Sequence, residues 1–189
     1  MHLLRLSLML FVAILACLPS QAQSDKGEMP RSVMADETKL VLNGEGTRKK
    51  FWINLFDGGL YLKEKCNDGM RVTLANEPMA IKLKVTSELV TGKRLEENIR
   101  SEFARVTNNQ IEPLKARINA LLEVFKEDIV IGDIFDLVYI PEKGLEVYKN
   151  NSLRTSIRGL DFKQTVFETW FGNDPADAKF KKGMLGSTS

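Results

Sequence analysis

Asn43 to Leu62 reads NGEGTRKKFWINLFDGGLYL. Gly44 and Gly46 supply the backbone freedom of a tight turn, and an apolar, aromatic run follows the basic cluster Arg48, Lys49 and Lys50. The stretch is therefore read as a hairpin that turns at the glycines and continues as a strand from Arg48 to Leu62, bent or bulged at Gly58 and Gly59. Arg48 then stands where the strand enters a core. Its planar fork of donors suits a carboxylate, from a neighbouring side chain or from a ligand anion. The plainer reading makes all three basic residues solvated charges at a strand end.

Upstream, Leu40 to Asn43 alternates as a short strand, and the domain begins near Lys39. Residues 23–38 are polar and mixed in charge, contain Pro30 and lack apolar periodicity, which predicts a disordered or extended lead-in. Residues 1–22 have the anatomy of a secretory signal: Arg5 in a short positive start, the apolar run Leu6 to Leu18, and small residues up to Ala22. That predicts a secreted or periplasmic protein. Ile14-Leu15-Ala16-Cys17 offers the alternative of a lipoprotein site at Cys17, for which Leu15 is bulky.

Removing the first 22 of 189 residues leaves 167, with 26 basic and 25 acidic side chains. A near-neutral balance favours neither nucleic acid nor an anionic membrane as partner, and no stable membrane insertion is expected after cleavage. His2, the single histidine, leaves with the signal. Hydrolysis through a histidine base and imidazole metal sites are thereby excluded, and no metal or cofactor is expected. Cys66 then has no intrachain partner and reads as a small apolar residue near a loop.

Downstream, Met70 to Leu74 and Ala80 to Ser87 read as strands, the second with Ile81, Leu83 and Val85 on one face and Lys82, Lys84 and Thr86 on the other. At Thr91 the period lengthens to about 3.6 residues. Thr91 caps a helix with Leu95, Ile99, Phe103 and Val106 on one stripe, and Pro113 opens a second with Leu114, Ile118, Leu121, Leu122 and Phe125 inward. Ile134 to Ile140, Leu145 to Tyr148 and Leu153 to Ile157 make an antiparallel meander. Asp161 and Gln164 read as a capping box for a helix ending at Gly172, and Asp174-Pro175 as the start of a last short helix. Segregated strands and helices give the α+β class. Lys163, Lys179, Lys181 and Lys182 read as a solvated helix face, and Phe51, Trp52, Phe167, Trp170 and Phe171 as core rather than cleft lining.

The order of the glycine turn, Arg48, Gly59-Leu60-Tyr61-Leu62, Thr91-Gly92-Lys93 and Phe167-Glu168-Thr169-Trp170-Phe171-Gly172 resembles the chalcone isomerase superfamily. The tail from Pro175-Ala176-Asp177 to Met184-Leu185-Gly186 is similar to that of its bacterial secreted branch. The resemblance spans residues 39–186 and implies an open-faced β-sandwich, an antiparallel sheet covered by helices on one side. It also implies a site. Arg48 matches the arginine that holds an anionic phenolate in the plant enzymes, and Thr169 matches a substrate-contacting hydroxyl. The threonine and tyrosine that order a catalytic water fall on Phe56 and Leu95, and an asparagine falls on Glu102, which would add a negative charge near Arg48.

With Phe56 and Leu95 apolar, the resemblance implies no catalytic residues but a ligand-binding set of Arg48, Thr169, Phe56, Tyr61, Leu95 and Glu102. The expected ligand is a fatty acid or other small apolar acid whose carboxylate Arg48 clamps. Fatty-acid-binding relatives pair the arginine with a tyrosine; that place falls on Phe56, and Tyr61 is the nearby substitute. Two alternatives stand beside this reading: an intramolecular lyase or isomerase using Arg48, Thr169 and Tyr61, and a structural or accessory protein without ligand.

Overall fold

The computed structural model of the chain describes residues 29–187. The signal segment, Cys17 and residues 23–28 of the lead-in lie outside the described residues. Seven strands, β1 (Ser32–Ala35), β2 (Thr38–Lys50), β3 (Ile53–Leu62), β4 (Met79–Val85), β5 (Ile134–Ile140), β6 (Gly144–Lys149) and β7 (Ser152–Ile157), form one antiparallel sheet in chain order. The helices are α1 (Gly69–Leu74), α2 (Gly92–Val106), α3 (Lys115–Glu123, entered through a 3-10 turn at Glu112–Leu114), α4 (Leu160–Phe171) and α5 (Ala178–Met184).

Apolar residues from all five helices join one sheet face in a single core, among them Val72, Phe103, Ile118, Phe167 and Phe180 against Leu60, Ile81, Leu137 and Val147. A smaller cluster of Ala35, Leu40, Tyr61, Ala80, Val138 and Ile140 lies on the other face. There β1 touches β4 and β5 although it is hydrogen-bonded only to β2. The sheet is therefore curled, as accumulated strand twist demands. This is the α+β, helix-covered sheet that the sequence predicts.

Several local expectations fail for identifiable reasons. The lead-in ends early: Ser32 to Ala35 pairs with Thr38 to Val41 around a turn in which Asp36 has φ 54°. The hairpin turns at Phe51 and Trp52, not at the glycines, through which β2 runs uninterrupted. A Cβ on Gly44 would lie 2.3 Å from the Gly183 carbonyl oxygen, and one on Gly58 2.5 Å from the Phe180 ring. The glycines thus bare the sheet for α5 rather than turning the chain. Beside them, Asn43 sits at a bulge and ties three segments together, donating to the carbonyls of Cys66 (2.9 Å) and Met184 (3.0 Å) and accepting from the Cys66 N–H (2.7 Å).

Met70 to Leu74 is helical because Asp68 caps it, accepting from the N–H groups of Met70 (2.9 Å) and Arg71 (3.1 Å). The Asp161–Gln164 capping box does not form. The Asp161 carboxylate pairs instead with Arg117 at 2.6 Å, Gln164 donates to the Leu74 carbonyl, and Gly159 with φ 113° precedes α4. Asp177, not Asp174, caps α5. Lys163 is no solvated charge: it is fully buried, its ammonium donating to the carbonyls of Val72 (2.8 Å), Thr73 (2.9 Å) and Ala75 (2.9 Å) at the end of α1. Phe51 and Trp52 are not core, being 82% and 86% exposed.

Candidate ligand cleft

Alternation along β3 directs Phe56, Gly58, Leu60 and Leu62 to the helix-covered face. Arg48, directly opposite Phe56 in the β2–β3 ladder, shares that face. Between these strands and helices α2 and α4 lies a chamber of about 90 Å³. Its floor includes Phe56, Leu83 and Val85 from the sheet; Leu95, Ile99 and Phe103 from α2 form one wall, and Val166, Thr169 and Trp170 from α4 another. The amphipathic stripe that starts at the Thr91 cap thus serves both spaces: Leu95, Ile99 and Phe103 line the chamber, and Phe103 is also buried in the core.

The chamber opens into a wider recess of about 550 Å³. Arg48, Phe56, Val90, Leu95 and Asn98 line both spaces and so mark the neck between them, while Lys49, Lys50, Arg94 and Glu97 belong to the recess alone. The inner space is apolar and the outer rim is cationic.

Arg48 is half-buried at this neck, and among the described residues it takes part in no ion pair. Glu102 lines the chamber but turns its carboxylate to Arg105, with Oε2 2.6 Å from Nη2 and 3.0 Å from Nε. Arg105 also reaches the Asp174 carboxylate at 3.1 Å. Burial pulls the Arg105 pKa down, but the hydrogen bonds and charges of Glu102 and Asp174 outweigh it and hold the group above its usual range. The negative charge expected beside Arg48 is therefore neutralised within α2. Thr169 is buried and donates its hydroxyl to the Val166 carbonyl (2.8 Å), which leaves its oxygen lone pairs for a ligand donor.

Five of the six expected site residues, Arg48, Phe56, Leu95, Glu102 and Thr169, meet in this chamber. Tyr61 does not. It lies five residues from Phe56, an odd step that turns it to the opposite sheet face, where it is fully buried with Leu40 and Val138. It is no substitute partner for Arg48. Asn98 and Arg94 were not anticipated, although Asn98 lies three residues after Leu95 and four before Glu102, on the same side of a helix. Trp170, expected as plain core, lines the chamber. Among the described residues no group of three or more His, Cys, Asp or Glu could hold a metal ion, and no helix is long and apolar enough to cross a membrane.

Comparison with known proteins agrees with this architecture. Among solved structures, the crystal structure of a fatty-acid binding protein from Arabidopsis thaliana matches with a TM-score of 0.64 at 16% identity, over 83% of this chain and 90% of that one. At such identity the likeness is one of fold. No match was found among curated proteins. A family model described as chalcone isomerase-like matches residues 21–186, and the chain belongs to that family.

Proposed function

We propose that this protein is a non-catalytic carrier or sensor of an apolar acid, of which a fatty acid is the leading case, exported and freed of residues 1–22. The observation that carries the reading is Arg48: a guanidinium without an ion-pair partner among the described residues, at the neck of an apolar chamber. A carboxylate there would take charge-assisted hydrogen bonds while its chain entered the chamber. The fold shared with a fatty-acid binding protein supports the same reading. Phe56 and Leu95 put carbon where an isomerase would need an ordered water, and the Glu102 carboxylate, paired with Arg105, is no proton donor for a bound enone.

The chamber size constrains the ligand. At about 90 Å³ it is smaller than the roughly 150 Å³ cavity that admits benzene, so with the carboxylate at the neck it encloses only the first few methylenes. Titration calorimetry with straight-chain acids of increasing length should show affinity rising about fourfold per methylene until the chamber is filled, then flattening. Arg48→Gln should weaken every member about tenfold to a hundredfold without changing the length profile. Equal affinity in Arg48→Gln would overturn the assignment. Turnover of a 2′-hydroxychalcone above the uncatalysed rate, abolished by Arg48→Gln, would replace it with an isomerase, and a protein that binds no acid would be left an accessory role.

A further inference from the structure

The two most exposed large apolar side chains among the described residues are neighbours. Phe51 is 82% exposed and Trp52 86%, and together they form the tip of the β2–β3 hairpin with ring centroids 6.0 Å apart. The fold gives no reason for them. Phe51 adopts φ 56°, a left-handed conformation that a bulky residue avoids and that turns normally assign to Gly, Asn or Asp. The tip therefore carries backbone strain and exposes aromatic surface at the same two positions. Strain retained where the core gains nothing points to a role outside the core.

The surroundings say what the tip faces. Lys49 and Lys50 precede it directly and are exposed, and both line the recess at the cleft mouth together with Arg94 and the partly exposed Leu89. Glu97 is the one acidic residue of that rim. Aromatic rings that reach the headgroup level, backed by lysines, are the composition of a bilayer-interface anchor. A partner built from protein would have to supply both an aromatic pocket and a separate acidic surface. An anionic bilayer offers both at once, in its acyl boundary and its headgroups.

We propose that the Phe51–Trp52 tip docks the protein on an anionic lipid bilayer, with Lys49, Lys50 and Arg94 against the headgroups and the cleft mouth turned towards the lipid. Docking stands on the tip alone. Its use, the passage of an apolar acid between bilayer and chamber, rests on the function proposed above.

The test uses protein purified from cells expressing the full chain and vesicles of phosphatidylcholine with or without phosphatidylglycerol. Sedimentation should carry the protein down with the anionic vesicles and leave it in solution with the neutral ones. Tryptophan emission should be quenched by brominated acyl chains, and Trp52→Phe should abolish that quenching while binding persists. The double variant Phe51→Ser, Trp52→Ser should lose vesicle binding, and Lys49→Glu with Lys50→Glu should weaken it at least about tenfold. Both pairs are exposed, so an unchanged melting temperature confirms that the fold is intact. Binding that survives Phe51→Ser, Trp52→Ser would place the anchor elsewhere, the N-terminal segment included, and overturn the proposal. So would a dimer in light scattering that dissociates in that variant, since the tip would then be covered by a second copy. Acid affinity of the Phe51→Ser, Trp52→Ser variant without vesicles separates the two proposals, since neither residue lines the chamber or the recess: it should match that of the unaltered protein, and its loss would count against the cleft assignment, not against docking.

Discussion

The Glu102 carboxylate lies 2.6 Å from the Arg105 guanidinium, three residues on along α2, and this pair keeps a negative charge in the chamber wall away from Arg48. Without Arg105 the carboxylate would be free to turn to Arg48, the other charged residue lining the chamber.

Arg105→Leu should therefore weaken binding of an apolar acid about tenfold at neutral pH, although Arg105 does not line the chamber. Adding Glu102→Gln to that variant should restore affinity, because the competing charge is gone. Calorimetry on the two variants checks this. A loss that the second substitution does not repair would mean that Arg105 acts through the structure of α2 and not through charge.

Tyr61 gives a contrary prediction. Its hydroxyl is buried and has no hydrogen-bond partner among the described residues. Burial first, and then the charges of Asp136 and Glu45, push its pKa well above the usual tyrosine range. Tyr61→Phe removes an unsatisfied polar group and should raise stability by about 1 kcal/mol, read as a higher urea midpoint at unchanged slope. Acid affinity should not change. The sign at alkaline pH follows from the raised pKa: the folded protein keeps a proton that the unfolded chain releases above about pH 10, so stability falls from there upward. Tyr148, pushed up to about 12 by burial and by its hydrogen bond to Glu146, acts in the same direction, so Tyr61→Phe should reduce the alkaline loss without removing it.

Lys163 titrates with the opposite sense. Burial pulls its pKa down to about 7, against a weaker upward pull from Glu77. Between about pH 7 and 10 the unfolded chain holds a proton that the folded one does not, so this group makes stability rise across that window and contributes no slope below it. Lys163→Met should flatten the rise. It also strips three carbonyls at the end of α1 of their donor, at a cost of about 2 kcal/mol under acidic conditions, where the ammonium holds all three. Denaturant midpoints from pH 6 to 10 for both proteins measure the two effects together.

How far the sequence carried the reading depends on the range of the interaction that decides each residue. The period-two pattern of β4 and the Thr91-capped stripe of α2 are local, and both form as read. Arg48 and Thr169 are 121 positions apart, and their meeting in one chamber came from the family resemblance; no periodicity places them together. For Tyr61 the local signal is present, since strand alternation alone sets it on the other face from Phe56. Lys163 was not legible, because its three acceptors belong to a helix end some ninety residues away and a lysine is ordinarily exposed. The glycines misled for a similar reason. A glycine that turns a chain and a glycine that admits another segment look the same until that segment is seen.

That last distinction can be measured. Gly44 is not in a left-handed conformation, so any cost of Gly44→Ala is steric: the new methyl would meet Gly183 oxygen at 2.3 Å and Gly186 nitrogen at 2.5 Å, both backbone and unable to rotate away. Gly132 is the converse, with φ 94° and nothing within 4 Å of a Cβ. Gly132→Ala should cost about 1–2 kcal/mol, the backbone penalty alone. Gly44→Ala should cost about 2–4 kcal/mol, because α5 must lift from β2. The site of the loss separates them further. Phe180 of α5 packs edge-on against Phe56 at 5.6 Å, so unseating α5 should speed amide exchange in Ala178–Met184 and weaken acid binding in the chamber that Phe56 floors. Gly132→Ala should do neither. Equal exchange in the two variants would show that Gly44 does not seat α5.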